Sequence, residues 1–280
     1  MMPFGASRAG SRIVAVGEHG LVLLSDDNGH AWRQAKHVPI DATLSSVTFS
    51  GALRGWAVGQ WGTILATDDG GETWREQRLD TSTDQPLFSV AFTDERNGFA
   101  VGLWSLLLVT HDGGLTWTRT KLPKPPSGAK PDLNLYCVFG DRGGAVYIAA
   151  EQGSVIRSTD GGANWTYLET GGKGSLWAGT ATSSGRIVVG GLLGSLFEST
   201  DGGATWSPLH SGTSSSITGI VGAGDGLLAV GLDGVMLRAR PGSTQFEAVQ
   251  RADRAALTAA VIDNEGRPVL FSKEGILEQQ

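Results

Sequence analysis

Cysteine is almost missing from this chain: Cys137 is the only one in 280 residues. A lone thiol excludes an internal disulfide framework and a cysteine metal cage. Tyrosine is scarce, with three residues, and no run of about 18 apolar residues occurs, so no segment reads as a membrane-spanning helix. The opening "MMPFGASRAGSR" has basic residues with no apolar stretch behind them, and does not read as an intact secretory signal. Charged residues make up 18% and the net charge is −6, which argues against a nucleic-acid surface, since that needs a basic stripe. Glycine, by contrast, is abundant at 42 residues, as suits a fold with many tight turns. The length accommodates two average domains or one large β domain.

Self-similarity is the strongest positive signal. The pattern S/T-x-D-x-G-x-x-W occurs at Ser25, Asp27, Gly29, Trp32; at Thr67, Asp69, Gly71, Trp74; and at Thr110, Asp112, Gly114, Trp117. It returns at Ser158, Asp160, Gly162, Trp165 and at Ser199, Asp201, Gly203, Trp206, so the tryptophans are 42, 43, 48 and 41 residues apart. "RARPGSTQF" at 238–246 is a decayed sixth copy that has lost the aspartate and carries Phe246 near the tryptophan position. About 15 residues ahead of each tryptophan lies a second signature: "AVGEHG", "AVGQWG", "AVGLWS", "AAEQG", "GGLLG" and "AVGLDG", with "FSKEG" at 271 as a seventh. Further apolar runs, such as "LSSVTF" at 44 and "LFSVAF" at 87, precede these.

Each repeat of about 40 residues thus holds four β-rich segments divided by turn signals, with no long helical period. In the second repeat the strands are expected near Leu44–Phe49, Gly55–Val58, Thr63–Ala66 and Trp74–Arg78. Four short antiparallel strands at this period describe a propeller blade, which needs neighbours to cover its faces. The expected fold is all-β: a seven-bladed β-propeller of four-stranded antiparallel blades, forming one domain over residues 1–280. Repeat seven stops after a third strand, which leaves either an open edge or a fourth strand and signal peptide supplied from upstream.

The boxes fall between the third and fourth strands. There aspartate and hydroxyl oxygens can accept from turn amides, glycine supplies positive φ, and tryptophan buries a ring against the blade. These needs recur whatever the protein does, so Asp27, Trp32, Asp69, Trp74, Asp112, Trp117, Asp160, Trp165, Asp201 and Trp206 read as structural.

The boxes resemble the Asp-box, or BNR repeat, of sialidases, other glycoside hydrolases and sortilin-type receptors. The fuller pattern, "GWAVGQWGTILATDDGGETW" at 55–74 and "GFAVGLWSLLLVTHDGGLTW" at 98–117, is similar to the photosystem II stability and assembly factor family of cyanobacteria and chloroplasts. Similar proteins occur in bacteria that do not photosynthesise. The resemblance implies a non-enzymatic scaffold that helps assemble or stabilise a membrane protein complex. It also favours a periplasmic or otherwise extracytoplasmic address, and the account in which upstream residues complete the last blade.

Propeller geometry places the turns between second and third strands, and the connections between blades, opposite the boxes. The variable pairs in those turns are Glu18-His19, Gln60-Trp61, Leu103-Trp104, Glu151-Gln152, Leu192-Leu193, Leu232-Asp233 and Lys273-Glu274. Blades 2, 3 and 5 bring Trp61, Leu103, Trp104, Leu192 and Leu193, whereas blades 6, 7 and 1 bring Asp233, Glu274, Glu18 and His19. Contiguous apolar tips mark a partner site, with the acidic sector setting orientation; the alternative is that the rings fold inward and plug the channel. The expected partner is a protein, an extracytoplasmic part of a membrane protein. The connection "TRTKLPKPPSGAKPDLN" at 118–134, with Arg119, Lys121, Lys124 and Lys130, reads as an extended solvated arm or a contact for an acidic partner.

Catalytic patterns fail. The arginine cluster and supported tyrosine of a sialidase are not visible, and Tyr136, Tyr147 and Tyr167 sit in no site pattern. Glu18, Glu151, Asp233 and Glu274 could pair as hydrolase carboxylates, but acidic turn residues are commonly just solvated. The five histidines show no ligand spacing, so neither a metal nor a cofactor is expected. "SDDNG" lacks the remaining calcium ligands, and "DGG" is not a phosphate loop. The competing reading is a propeller that binds or cleaves glycans, using the same tryptophans as sugar platforms.

Overall fold

The alternation of short β-branched runs with glycine-rich turns produces consecutive antiparallel sheets. A computed structural model of the chain describes residues 1–125, 130, 132–223 and 226–277. It contains six four-stranded sheets and, among the described residues, a seventh of three strands. Each sheet uses strands consecutive in sequence, so each repeat is one blade of a seven-bladed propeller. Blade 2 comprises Leu44–Ser50, Arg54–Gly59, Ile64–Thr67 and Arg75–Arg78, within a residue or two of expectation. Blade 1 starts with Pro3–Ala9, and blade 7 holds Leu257–Ile262, Pro268–Ser272 and Gly275–Ile276.

The core is divided among the junctions. Seven clusters of buried apolar side chains each fill the space between two neighbouring blades, from Val14, Leu24, Leu65 and Trp74 between blades 1 and 2 to Ile13, Val269 and Phe271 between blades 7 and 1. Box tryptophans take part as wedges against the preceding blade: Trp165 lies edge-on to Phe99 at 5.9 Å, and Trp32 edge-on to Phe271 at 5.7 Å.

The box turns are held as their chemistry suggests. In blade 2, Thr67 Oγ1 donates to Asp69 Oδ1 at 2.8 Å and accepts from the Gly71 amide at 3.0 Å. Asp69 Oδ1 also accepts the Thr73 amide at 2.9 Å, and Trp74 Nε1 donates to the Gly71 carbonyl at 2.9 Å. Gly71 has φ +88°. The same set recurs around Asp27, Asp160 and Asp201; in blade 3 Trp117 departs from it, donating instead to Gln77 Oε1 of blade 2. Arginines tie blades together on this face. Arg12, Arg54 and Arg157 donate to the carbonyls of Gly70, Gly113 and Gly202 in the next blade, and Arg186 to Ser243 in the decayed sixth box.

Candidate partner-binding face

The opposite face is built from two concentric rings. The outer ring is the set of turns joining second and third strands. In six of the seven, blade 7 excepted, the second residue of the variable pair has positive φ: His19 53°, Trp61 55°, Trp104 51°, Gln152 59°, Leu193 55° and Asp233 56°. A glycine with positive φ follows in all of these except blade 3, where Ser105 does so at 55°. Two successive residues with positive φ make a type I′ hairpin turn, which favours Asn-Gly or Asp-Gly. Asp233-Gly234 obeys that preference. Trp61, Trp104 and Leu193 do not: bulky side chains at positive φ are outliers. The glycine is enforced by space, since a Cβ at Gly194 would stand 2.2 Å from the Thr213 carbonyl oxygen.

In those six blades this geometry separates the members of the pair, whereas in blade 7 Lys273 and Glu274 are both exposed. The second residue projects: Trp61 is 36%, Trp104 53% and Leu193 71% exposed. The first is turned down, so Glu18, Leu103 and Leu192 are half-buried. The tryptophans therefore stand out from the face; the residues lining the central channel do not include them. On the other side of the ring His19, Asp233 and Glu274 are exposed. Glu18 Oε2 accepts the Met2 amide at 2.9 Å, His19 Nδ1 lies 3.4 Å from Asp41 Oδ1, and Asp233 Oδ2 accepts from Ser215 Oγ at 2.9 Å.

The 118–134 connection meets this face at both ends. Thr118–Arg119 is the fourth strand of blade 3, so Arg119 belongs to a blade and not to an arm. Lys121, Lys124 and Lys130 are exposed, and Lys130 Nζ lies 3.3 Å from Glu151 Oε2. Residues 126–129 and 131, with Pro126 and Pro131 of the expected arm, lie outside the described residues.

The inner ring is one that sequence reasoning missed. Every innermost strand begins with a register shift against its neighbour, and the bulged residues are Phe4, Ser45, Phe88, Tyr136, Trp177, Thr218 and Thr258, one per blade. A bulge re-aims a side chain, and these seven, all half-buried, line the mouth of a central channel of about 210 Å³. Phe88 stacks on Tyr136 at 5.7 Å, and Trp177 meets Tyr136 edge-on at 6.5 Å. Among the described residues the lining of this mouth contains no Asp, Glu, His, Lys or Arg, whereas Arg8 lines the adjoining cavity of about 660 Å³ that shares Ala6, Val221 and Ala260 with it. The one thiol of the mouth, Cys137, is pushed up to about 11 by burial and points at the Gly179 carbonyl. Aligning "PFG", "LSS", "LFS", "LYC", "LWA", "ITG" and "LTA" across the repeats marks the position.

Among the described residues no group of three His, Cys, Asp or Glu side chains converges as a metal site would require, and no helix is long and apolar enough to cross a membrane. The carboxylates Glu18, Glu151, Asp233 and Glu274 belong to the outer turns of four different blades.

Comparison with known proteins places the fold in company. No curated protein sequence matches the chain. A solved structure of YCF48 bound to D1 peptide is 17% identical with TM-score 0.76, the match covering 98% of this chain and 91% of that one. YCF48 from Cyanidioschyzon merolae is 18% identical with TM-score 0.75, over 98% and 94%. A streptogramin B lyase superposes with TM-score 0.81 at 15% identity, over 98% and 91%. At these identities the likeness concerns the fold alone. The family described as photosynthesis system II assembly factor YCF48 matches residues 26–217, more than half of the 280, and the chain belongs to that family.

Proposed function

We propose that this protein is a non-enzymatic scaffold whose turn face binds a segment of a membrane protein, exposed outside the cytoplasm, and thereby assists assembly or stability of a complex. The observation that carries this reading is the presentation of Trp61, Trp104 and Leu193 on strained positive-φ tips, where Asn or Asp would fold at lower cost. Exposed tryptophans on a rigid scaffold are strong interface anchors because they bury much area with little loss of side-chain freedom. Leu103 and Leu192, half-buried in the same turns, add apolar surface to this sector, and Glu18, His19, Asp233 and Glu274 give the opposite sector a polar, acidic character that fixes orientation. Family membership agrees with this reading, and one relative has been solved with a peptide on it.

Catalysis has less support. Acid–base chemistry needs a titratable group within hydrogen-bond reach of the reacting atoms, and the described residues that line the channel mouth include no carboxylate or imidazole. The box aspartates are committed to their own turns on the other face.

The test is affinity capture of detergent-solubilised membranes on wild type and on Trp61→Ala/Trp104→Ala, with circular dichroism to confirm folding. Wild type is expected to retain an integral membrane protein. A synthetic peptide copying that protein's extramembrane segment should then bind the double variant at least about tenfold more weakly. Equal capture by both proteins would remove the tips from the site, and capture of glycan alone would replace the reading.

A further inference from the structure

The inner ring shows a choice that the fold does not explain. Where the bulged residue is Ser or Thr, its hydroxyl ties its blade to the next. Ser45 Oγ donates to the Leu87 carbonyl at 2.5 Å, Thr218 Oγ1 to Leu257 at 2.8 Å, and Thr258 Oγ1 to Pro3 at 2.7 Å. Each link joins neighbouring blades through a half-buried hydrogen bond. Phe4, Phe88, Tyr136 and Trp177 occupy the same position and forgo that bond. Three of them are consecutive around the ring, in blades 3, 4 and 5, where they form a continuous aromatic arc. A local rule kept in three blades and broken in four, with half-exposed rings as the result, marks a site shaped by something other than folding.

We infer that the channel mouth is a socket for one bulky uncharged side chain, aromatic or branched aliphatic, carried by the partner segment that lies across the turn face. The socket rests on the partner-binding reading above and adds the chemistry of the residue at its centre. A charged side chain entering the mouth would lose water with no counter-charge beside it, because the described residues lining the mouth include no ionic group and Arg8 lines only the adjoining cavity. A sugar would find the hydroxyls of Ser45, Thr218 and Thr258 already donating to backbone carbonyls and that of Ser89 accepting the Val138 amide. An apolar ring instead gains area burial and edge or offset contacts with Phe88, Tyr136 and Trp177. The outer tips continue the same sector, since Trp104 and Phe88 both belong to blade 3 and Leu193 and Trp177 both to blade 5.

The test uses the blocked tripeptide Ac-Ala-Trp-Ala-NH2, its Lys and Asp counterparts and methyl glucoside as probes, read by saturation-transfer NMR on the whole chain. The key variant is Phe88→Thr/Trp177→Thr, which restores the hydroxyl found in blades 6 and 7. Leu115→Ala, on the box face and 71% exposed, controls for general apolar adhesion. The tryptophan probe should bind wild type and Leu115→Ala, the charged probes and the sugar should not, and the threonine variant should lose about tenfold in affinity while melting at the same temperature or higher. Undiminished binding by the threonine variant overturns the socket, as does preferential binding of the sugar or a charged probe. A melting temperature lowered by about 5 °C or more shows that the rings are a structural plug. Probe binding without membrane-protein capture would leave the socket standing and remove its partner reading; capture that depends on Trp61 and Trp104 with no probe binding would remove the socket alone.

Discussion

An aspartate that accepts a turn amide, a threonine hydroxyl and a neighbouring side chain is better stabilised charged than neutral. In the third and fifth boxes those bonds, led by the hydroxyls of Thr116 and Thr205, hold Asp112 and Asp201 down at about 2. Asp27 and Asp160 are lowered chiefly by the amides of Ala31 and Asn164. In Asp69 burial opposes the shift, and its hydrogen bonds to Thr73 outweigh it. A depressed folded-state value favours the fold above the ordinary value of 3.8, and the benefit disappears as pH falls through about 2. Thermal melts should therefore be flat near neutrality and fall steeply between about pH 4 and about pH 2. Carbon-13 titration of the box carboxyls would show the same lowered midpoints, and midpoints near 3.8 would refute the assignment. Asp69→Ala removes the acceptor for the Thr73 amide and both hydroxyls, a loss comparable to that of a helix cap. It should destabilise by about 1 kcal/mol and lower the melting temperature by roughly 2–4 °C.

At the scale of the element, the blade and the tip answer to different constraints. Trp165 is 7% exposed and wedged against Phe99, so Trp165→Ala should cost about 3–5 kcal/mol through the cavity it leaves, measurable in denaturant. The tips respond in the opposite sense. Leu193→Gly relieves a positive φ at an exposed position, so it should raise the melting temperature, by about 1 kcal/mol of stability, while weakening capture of the partner. A variant that is both less stable and equally competent in capture would refute the functional reading of the strain. The blades were legible because most repeats share one pattern: glycine ends the second strand in blades 1, 2, 3, 5 and 6, a box follows the third in blades 1 to 5, and apolar runs fill between. The tips were legible as variable pairs between fixed residues, yet nothing in "QWG" or "LLG" says which member projects. The type I′ turn decides that, burying the first and presenting the second. The inner ring stayed hidden because a bulge breaks the period-2 alternation on which strand reading depends. Thus "LFSVAF" reads as an ordinary buried strand until its register with Gly98–Gly102 sends Phe88 to the channel.

For the whole molecule, the ring must hold at seven junctions, and the one between blades 7 and 1 joins the last repeat to the first. Among the described residues each blade is built from consecutive segments, and blade 7 contributes three strands. The seam relies on Thr258 Oγ1 to the Pro3 carbonyl, Asn264 Nδ2 to Asn28 Oδ1 at 2.8 Å, Arg8 to the Asp263 carbonyl, and the packing of Trp32 on Phe271. The outermost paired strand of blade 7 is two residues long, whereas Ser154–Ser158 in blade 4 is flanked on both sides by full partners. Backbone amides with one short partner open at lower free energy than those inside a four-stranded sheet. Hydrogen exchange should therefore be fastest, among the strands, over residues 268–277 and slowest over residues 146–158. Because the apolar tips and the aromatic arc lie on blades 2 to 5, a bound partner should slow exchange in the turns around Trp61, Trp104 and Leu193 and leave 268–277 unchanged. Protection of 268–277 equal to that of blade 4 in the free protein would show that the seam is as firm as any other junction. Protection appearing there only on binding would move the partner's footprint to blade 7.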